Sequence, residues 1–275
     1  MGLSLFGTLS HVIKYSLAYK GDCPIGSKSH KLLAFFSRFI EPGGTLVEIG
    51  SERGDGSTAF LDALCRRRGL RFVSVDADPA IVERAKAIVG ERAVCGTGES
   101  YLERFPGKVS VAYLDNFDWD WGNHPEIIQK QAERYRELYS LEMSHANSQK
   151  AHFDQAVIVE RKSADQCFVL FDDTYWDGTS WSGKGGTAVP YLLSKGFTLL
   201  DHRMKSPRRT KQFAMLGRGA ILNHPSWKAQ FAFYKAILSP LYLNEVAGVS
   251  QLLRSVLPES AFNSVKGLYH RIIGP

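Results

Sequence analysis

The stretch Val47-Glu-Ile-Gly-Ser-Glu-Arg-Gly-Asp-Gly-Ser-Thr58 decides the fold, because it joins the end of an apolar run to a turn that holds three glycines. The run Thr45 to Ile49 has the length and β-branched content of a buried strand. Glycine lets the backbone take left-handed conformations and approach a ligand closely. The segment Ser57 to Arg68 is typical of a helix, whose first amides favour a polar or negative group. We therefore predict a strand, a ligand-binding turn and a helix in this order.

Further apolar runs alternate with helical segments along the chain. This alternation predicts an α/β fold, Rossmann-like, with a seven-stranded and mostly parallel sheet and helices on both faces. About fifty residues separate the fourth strand from the fifth, and they predict a helical insertion that forms a lid, an extra substrate wall or an oligomerisation arm. The predicted strands are Thr45–Ile49, Arg71–Val75, Arg92–Cys95, Ser110–Leu114, Cys167–Phe171, Phe197–Leu200 and Gln212–Leu216.

Composition argues against several classes of protein. The four cysteines lie too far apart for a zinc site or a disulfide framework, so we expect a reducing, cytoplasmic location. The first 18 residues lack the cleavage pattern of a secretory signal. No run reaches the roughly 18 to 20 apolar residues that a membrane span needs.

The net charge of +6 comes from the C-terminal tail. Residues 201–275 hold 11 Lys and Arg against 3 Asp and Glu, whereas residues 31–200 hold 20 against 24. The tail predicts three helices, and the first carries Trp227, Phe231, Tyr234 and Leu238 at helical spacing beside lysines. This stripe fits packing in the core or in a homo-oligomer, or peripheral docking on the anionic inner face of a membrane. We expect no nucleic-acid partner.

The glycine order, Gly50, Gly54 and Gly56 with Glu48 in front, separates two kinds of cofactor turn. Dinucleotide-binding turns have the spacing GxGxxG, which argues against an NAD-linked dehydrogenase. The order instead resembles the first motif, (E/D)xGxxxGxG, of class I S-adenosylmethionine-dependent methyltransferases. The resemblance covers about residues 27–217. It continues at three later strand ends, namely Asp76, the segment Cys95-Gly-Thr-Gly-Glu-Ser100, and Asp115.

The resemblance implies that the chain binds S-adenosylmethionine. Glu48 and the backbone of Gly50–Gly56 would face the methionine part, Asp76 the ribose hydroxyls, and Thr97–Ser100 the adenine. It also implies a methyltransferase domain at residues 1–219, with the insertion at about 118–165, and a helical extension at 220–275. The complete set of predicted cofactor-binding residues is Glu48, Gly50, Ser51, Gly54, Gly56, Ser57, Asp76, Ala77, Thr97, Gly98, Glu99, Ser100 and Asp115.

Two consecutive acids, Asp172 and Asp173, end the fifth strand, and Asp115 ends the fourth. In this fold the two strands are neighbours, so three carboxylates meet at one edge and repel each other unless a cation holds them. Hard oxygen ligands of this kind suit Mg2+ or Ca2+. The arrangement resembles metal-dependent O-methyltransferases of the catechol type and of the macrolide and aminocoumarin sugar type, which implies Mg2+ bound by Asp115, Asp172 and Asp173. The alternative is that the acid pair only caps a loop.

The general base is harder to place, because the lysine that follows the strand-four Asp in catechol-type enzymes is absent here. His152, His145 and Asp118 are the candidates, and His152, at the start of a helix that leads into strand five, comes first. A structural histidine is the alternative. Asp115 is a further catalytic candidate through its place at the carboxyl edge of the sheet.

The segment after strand five, Trp176 to Thr187, offers aromatic side chains and a flexible Gly-Lys-Gly turn. It is not a Walker turn, because no Ser or Thr follows Lys184. Families that it resembles often act on glycosylated or capsule-type molecules, and tryptophans can stack on sugar rings or simply pack under the insertion. The tryptophans concerned are Trp119, Trp121, Trp176 and Trp181.

Together these features predict a cytoplasmic, S-adenosylmethionine-dependent O-methyltransferase, assisted by Mg2+, that acts on a hydroxyl of a sugar-bearing, glycan or secondary-metabolite acceptor. Two alternatives stay open. One is a metal-independent methyltransferase of a nitrogen or nucleic-acid target, although the Pro-Pro signature of amino-methylating enzymes is absent after Asp115. The other is a non-catalytic module that uses the cofactor fold for assembly.

Overall fold

The computed structural model describes residues 28–51, 56–117, 125–140, 142–204, 212–224, 227–228 and 231. The chain divides into two compact units, of which one, Ser29–Trp227, is the α/β unit described below. Several sequence predictions fall outside the described residues. They are Gly54, Asp118, Trp119, Trp121 and the tail helices beyond residue 231.

The sheet has nine strands in the order β3-β2-β1-β4-β5-β9-β8-β6-β7. The first five run parallel to one another, and β9 is antiparallel to both β5 and β8. The predicted Rossmann-like α/β fold is confirmed, with two more strands than expected. The strands are β1 Thr45–Ile49, β2 Arg71–Asp76, β3 Ala93–Cys95, β4 Val109–Leu114, β5 Ser163–Asp172, β6 Thr174–Trp176, β7 Trp181–Gly183, β8 Thr198–Met204 and β9 Phe213–Arg218.

Seven α-helices accompany the strands in the described part of the chain. Two of them, α2 and α3, carry strong local signals at their ends, and α2 has the predicted bounds. Asp78 caps α3 by accepting a hydrogen bond from the Ala80 amide (2.8 Å), and Gly69 ends α2 in a left-handed conformation. The helices are α1 Lys28–Phe36, α2 Ser57–Arg68, α3 Pro79–Val89, α4 Gly98–Arg104, α5 Pro125–Tyr139, α6 His145–Lys162 and α7 Ala188–Ser194.

Two neighbouring parallel strands, β1 and β4, carry much of the core. Every residue of β1 and of β4 is buried, as expected for parallel strands covered on both faces. β1 pairs with β2 on one side and with β4 on the other, so the chain reverses its winding direction between β1 and β4. Open α/β sheets bind ligands at the carboxyl ends of the strands at such a switch point. None of the described helices has the length and apolar content to span a membrane.

The predicted Gly-Lys-Gly turn directly follows a short hairpin, β6 and β7, whose last residue is Gly183. Gly183 has φ +87°, and a Cβ there would lie 1.9 Å from the Asp173 carbonyl oxygen, so the hairpin closes tightly onto the end of β5. The Lys184 amide donates to that same carbonyl (3.1 Å), and the Gly185 amide donates to Thr174 Oγ1 (2.8 Å). These contacts fix Lys184 in the interior of the molecule.

Candidate active site

A cavity of about 700 Å3 opens at the carboxyl ends of β1 to β4, where the strand order predicts a ligand. Its volume lies in the range of small-molecule and cofactor sites. The turns after four strands and one face each of α5 and α6 form its wall. The lining residues are Ile49, Gly50, Val75, Asp76, Ala77, Asp78, Ile81, Gly96, Thr97, Gly98, Glu99, Asp115, Asn116, Phe117, Arg134, Tyr135, Asn147, Lys150, Ala151 and Asp154.

The cavity brings together seven of the thirteen residues predicted to bind a cofactor: Gly50, Asp76, Ala77, Thr97, Gly98, Glu99 and Asp115. Gly54 lies outside the described residues. The other five do not line this cavity. These are Glu48, Ser51, Gly56, Ser57 and Ser100.

Two glycines form parts of the wall that have no room for a side chain. Gly50 follows β1 with φ +91°, and a Cβ there would lie 2.6 Å from the backbone nitrogen of Asn116. A Cβ on Gly98 would lie 2.5 Å from Ile49 Cγ2 and 2.8 Å from the amide nitrogen of the Gln155 side chain. Both positions therefore present bare backbone toward the cavity, the role for which glycine is suited.

The Asp76 carboxylate is held in a fixed orientation at the end of β2. Its Oδ2 accepts a hydrogen bond from the Ser51 amide (2.9 Å), and its Oδ1 accepts one from the Asp78 amide (2.9 Å). Burial raises the pKa of Asp76 to about 6, although the hydrogen bonds from Ser51 act in the opposite direction. At neutral pH the group is thus an oriented acceptor of hydrogen bonds at the cavity wall.

Glu48, predicted to face the methionine part of the cofactor, lies instead inside the sheet. The Ser74 hydroxyl donates to its Oε2 at 2.6 Å, and the side chain is fully buried. Burial raises the pKa of Glu48 to about 7, although the hydrogen bond from Ser74 acts in the opposite direction. Glu48 is therefore held within the sheet and does not line the cavity.

Lys184 forms ion pairs with two of the three predicted metal ligands, Asp115 and Asp173. Its Nζ lies 2.7 Å from Asp115 Oδ1 and 3.2 Å from Asp173 Oδ2. The lysine side chain is only 5% exposed, whereas that of Asp173 is 52% exposed. Burial by itself lowers the pKa of a lysine, but the carboxylates of Asp115 and Asp173 hold the pKa of Lys184 well above its usual value. Lys184 is therefore a charged ammonium and not a base.

The predicted Mg2+ ligands Asp115, Asp172 and Asp173 do not converge on one open position. The Lys184 ammonium lies between Asp115 and Asp173, and Asp172 Oδ2 accepts a hydrogen bond from the Tyr113 hydroxyl at 3.1 Å. The described residues contain no group of three His, Cys, Asp or Glu side chains placed to hold a metal ion. The donor set thus does not fit the predicted ion, and the described residues do not support the predicted magnesium site.

The histidines predicted as bases do not line the cavity. His152 is fully buried on the inner face of α6, with Nδ1 2.8 Å from the Ser148 carbonyl oxygen. Burial and, after it, the nearby Lys184 ammonium lower the pKa of His152 to about 4. His152 is thus a neutral imidazole packed near Phe171, as a structural histidine would be. His145, the first residue of α6, is exposed.

Two residues at this edge take a backbone conformation that L-amino acids rarely adopt. Phe117 has φ 61° and Asp173 has φ 43°, and they follow the ends of β4 and β5 closely. Such residues cost about 1–3 kcal/mol each and cluster at functional sites. The backbone conformation and the carboxylates thus mark the same edge of the sheet.

The insertion contributes a wall of the cavity through α5. Arg134 on this helix forms an ion pair with Asp78 after β2, and the Tyr135 ring lies 4.6 Å from the Phe117 ring. The insertion therefore lines the cavity and contacts residues after β4 and at the start of α3.

Sequence reasoning missed Lys184, Arg134, Asn116 and Phe117. For Lys184 the only signal was its place in a Gly-Lys-Gly turn, which gave no indication that the turn folds back onto residues 69 positions earlier. Arg134 belongs to a polar helix whose pattern did not show which of its charged residues faces inward.

Comparisons with known proteins give matches of structure only. No family model matches the sequence, and no curated protein matches it. Solved structures that match this fold include an rRNA methylase from Streptococcus thermophilus (10% identity, 70% of this chain and 95% of that chain covered, TM-score 0.42). Others are a TehB-like SAM-dependent methyltransferase from Corynebacterium glutamicum (11%, 77% and 100%, 0.41) and a SAM-dependent methyltransferase from Geobacter sulfurreducens in complex with S-adenosyl-L-homocysteine (14%, 70% and 72%, 0.38). Likenesses of this size carry no conclusion about activity.

Proposed function

We propose that the chain is an S-adenosylmethionine-dependent methyltransferase that methylates a hydroxyl group of a sugar-bearing, glycan or secondary-metabolite acceptor. One observation carries the cofactor part of this proposal. Three predicted cofactor segments, after β1, β2 and β3, meet around a single cavity at the switch point of the sheet.

The polar groups of the cavity suit the parts of this cofactor. The Asp76 carboxylate, held by two backbone amides, can accept the hydrogen bonds of two vicinal ribose hydroxyls. The bare backbone at Gly50 and Gly98 allows a close approach of the ligand on either side of that carboxylate. The cavity of about 700 Å3 leaves space for an acceptor beside the cofactor.

S-adenosylmethionine would supply an electrophilic methyl group, which the oxygen of an acceptor attacks while the carbon–sulfur bond breaks. The chain has to orient that oxygen and receive its proton. Asp115 is the group best placed for both tasks, because it lines the cavity and its Oδ1 is fixed by Lys184 at 2.7 Å. The insertion helix α5, with Arg134 and Tyr135 in the wall, would exclude water during transfer.

Binding of S-adenosylmethionine and S-adenosylhomocysteine, measured by isothermal titration calorimetry, tests the cofactor part. We expect Asp76→Ala to weaken binding by about 10- to 100-fold, since hydrogen bonds to a charged group contribute about 1.5–3 kcal/mol. The control is Asp165→Asn, an exposed carboxylate in β5 that does not line the cavity. Absence of binding by the wild-type protein at millimolar cofactor would refute the proposal.

The acceptor part needs its own test. Transfer of a labelled methyl group to sugar and phenol hydroxyls should be detected with the wild-type protein and reduced at least about 100-fold in Asp115→Asn, the order expected when a proton acceptor is removed. If the label enters RNA or an amine instead, the proposed methyltransferase activity stands and the proposed acceptor class is wrong.

A further inference from the structure

The carboxylates that end β4 and β5 already have a cation between them, and the chain itself supplies it. We propose that Lys184 is a built-in cation at this edge of the sheet, which neutralises Asp115 and Asp173 and positions Asp115 at the cavity wall in place of a bound divalent ion. The inference goes beyond the proposed function, because it concerns what occupies this position and not which group is transferred.

The geometry supports this role in two ways. The ammonium touches one carboxylate from each strand, at 2.7 Å for Asp115 and 3.2 Å for Asp173, so it bridges the strand ends as an ion would. Lys184 is itself buried behind Asp115 and does not line the cavity, whereas Asp115 does. Lys184 therefore acts through Asp115 and is a positioning residue.

The backbone around Lys184 holds the ammonium in place. The Lys184 amide donates to the Asp173 carbonyl, and the next amide, that of Gly185, donates to Thr174 Oγ1. A Cβ on Gly185 would lie 2.9 Å from both Phe171 Cγ and Thr174 Oγ1, so the backbone at Gly185 packs closely against the end of β5. A side chain anchored in this way loses little further conformational entropy when it pairs with the carboxylates.

For electrostatic reasons, the Lys184 ammonium and a divalent ion cannot both occupy this position. A second positive charge placed on the same carboxylates would stand within a few ångströms of the ammonium and be repelled strongly in a buried site. Removal of the ammonium would leave Asp115 and Asp173 facing each other, with Asp172 next in the chain. Oxygen donors arranged in this way attract a hard divalent cation.

The test is a titration with Mn2+, in which free ion is measured by electron paramagnetic resonance. We expect Lys184→Met to bind one Mn2+ at least about tenfold more tightly than the wild-type protein, because the repelling charge is gone and the oxygen donors remain. The double variant Lys184→Met, Asp115→Asn should lose the gained site. Lys195→Met removes an exposed lysine eleven positions away and should behave as the wild type.

Two results would overturn the inference. One is saturable Mn2+ binding by the wild-type protein that Asp115→Asn abolishes, since the ion would then displace the ammonium. The other is a folded Lys184→Met protein, as judged by circular dichroism, that gains no Mn2+ affinity. If Lys184→Met does not fold, Lys184→Gln replaces it under the same two criteria, and the comparison of the wild type with Asp115→Asn is decisive without any change at Lys184.

A kinetic readout separates positioning from a purely structural role, and this part rests on the proposed function. In Lys184→Met we expect kcat to fall by about 10- to 100-fold with the dissociation constant of S-adenosylmethionine changed less than about threefold, and Mn2+ to restore part of the rate. Added EDTA should leave the wild-type rate unchanged. A wild-type rate that EDTA abolishes would contradict the built-in cation, whereas a wild-type protein that binds no S-adenosylmethionine would contradict only the proposed function.

Discussion

At the scale of single residues, the site depends on positions where a side chain has to be absent. Gly50 combines a left-handed conformation with backbone contacts from Asn116, so both its φ and its surroundings require glycine. The sequence made this position predictable, because the glycine order after β1 shows where the backbone turns toward a ligand. Nothing comparable pointed to Phe117, an aromatic residue at φ 61° that the sequence pattern does not distinguish from an ordinary loop residue.

The crowding at Gly50 can be measured apart from its backbone conformation. We expect Gly50→Ala to lower the free energy of unfolding by at least about 2 kcal/mol more than Gly196→Ala does, measured by urea denaturation. Gly196 is the matched control, since it also has a positive φ (+83°), but a Cβ added there would meet nothing within 4 Å. Equal losses in the two variants would show that backbone conformation alone accounts for the effect, and that Asn116 does not crowd the site.

At the scale of elements, local signals explain what could be predicted and long-range pairing explains what could not. The bounds of α3 were predictable from Asp78 and Pro79 at its start, because a capping side chain and a proline act within a few residues. The hairpin of β6 and β7 has three-residue strands that are too short to show a period. It is fixed by pairing with β8, about 28 residues further along the chain. Lys184 was therefore visible in the sequence, while its location was not.

The insertion helix α5 gives a prediction at this scale. Arg134 joins α5 to the start of α3 through Asp78, so Arg134→Met should loosen the wall and speed the release of S-adenosylhomocysteine by about 3- to 10-fold, measured by stopped-flow fluorescence. Arg136→Met is the control on the same helix, because Arg136 pairs instead with Glu142 (3.7 Å) and does not line the cavity. Unchanged release in Arg134→Met would mean that α5 is held by other contacts.

At the scale of the whole molecule, an ionisable group lies in β1, a strand in which every residue is buried. Glu48 has a folded-state pKa of about 7, against about 4.3 for an unfolded glutamate, so the folded chain binds its proton more tightly than the unfolded chain does. The resulting stability is fully present below the unfolded pKa and is lost as the pH rises toward 7. His152 contributes in the opposite sense, because its lowered pKa makes stability rise between about pH 4 and 6.5.

A difference between two proteins isolates the contribution of Glu48. The free energy of unfolding of the wild type minus that of Glu48→Gln should fall by roughly 3 kcal/mol between pH 4.5 and 8, which is the size that the raised pKa implies. Urea denaturation at intervals of half a pH unit measures it, and His152 cancels because both proteins retain it. A difference that is flat across this range would mean that Glu48 titrates with an ordinary pKa.

Lys184, the cation at the ends of β4 and β5, is synthesised after the two carboxylates with which it pairs. Lys184 is 69 residues later in the chain than Asp115 and follows the second strand of the hairpin. During synthesis all residues of the parallel strands β1 to β5 are therefore joined to the chain before Lys184 is. A proteolytic cut at the tip of the hairpin, near Gly178, would leave those five strands on one fragment and Lys184 on the other. The acidic edge and the charge that balances it thus come from different parts of the chain, and only the folded hairpin brings them together.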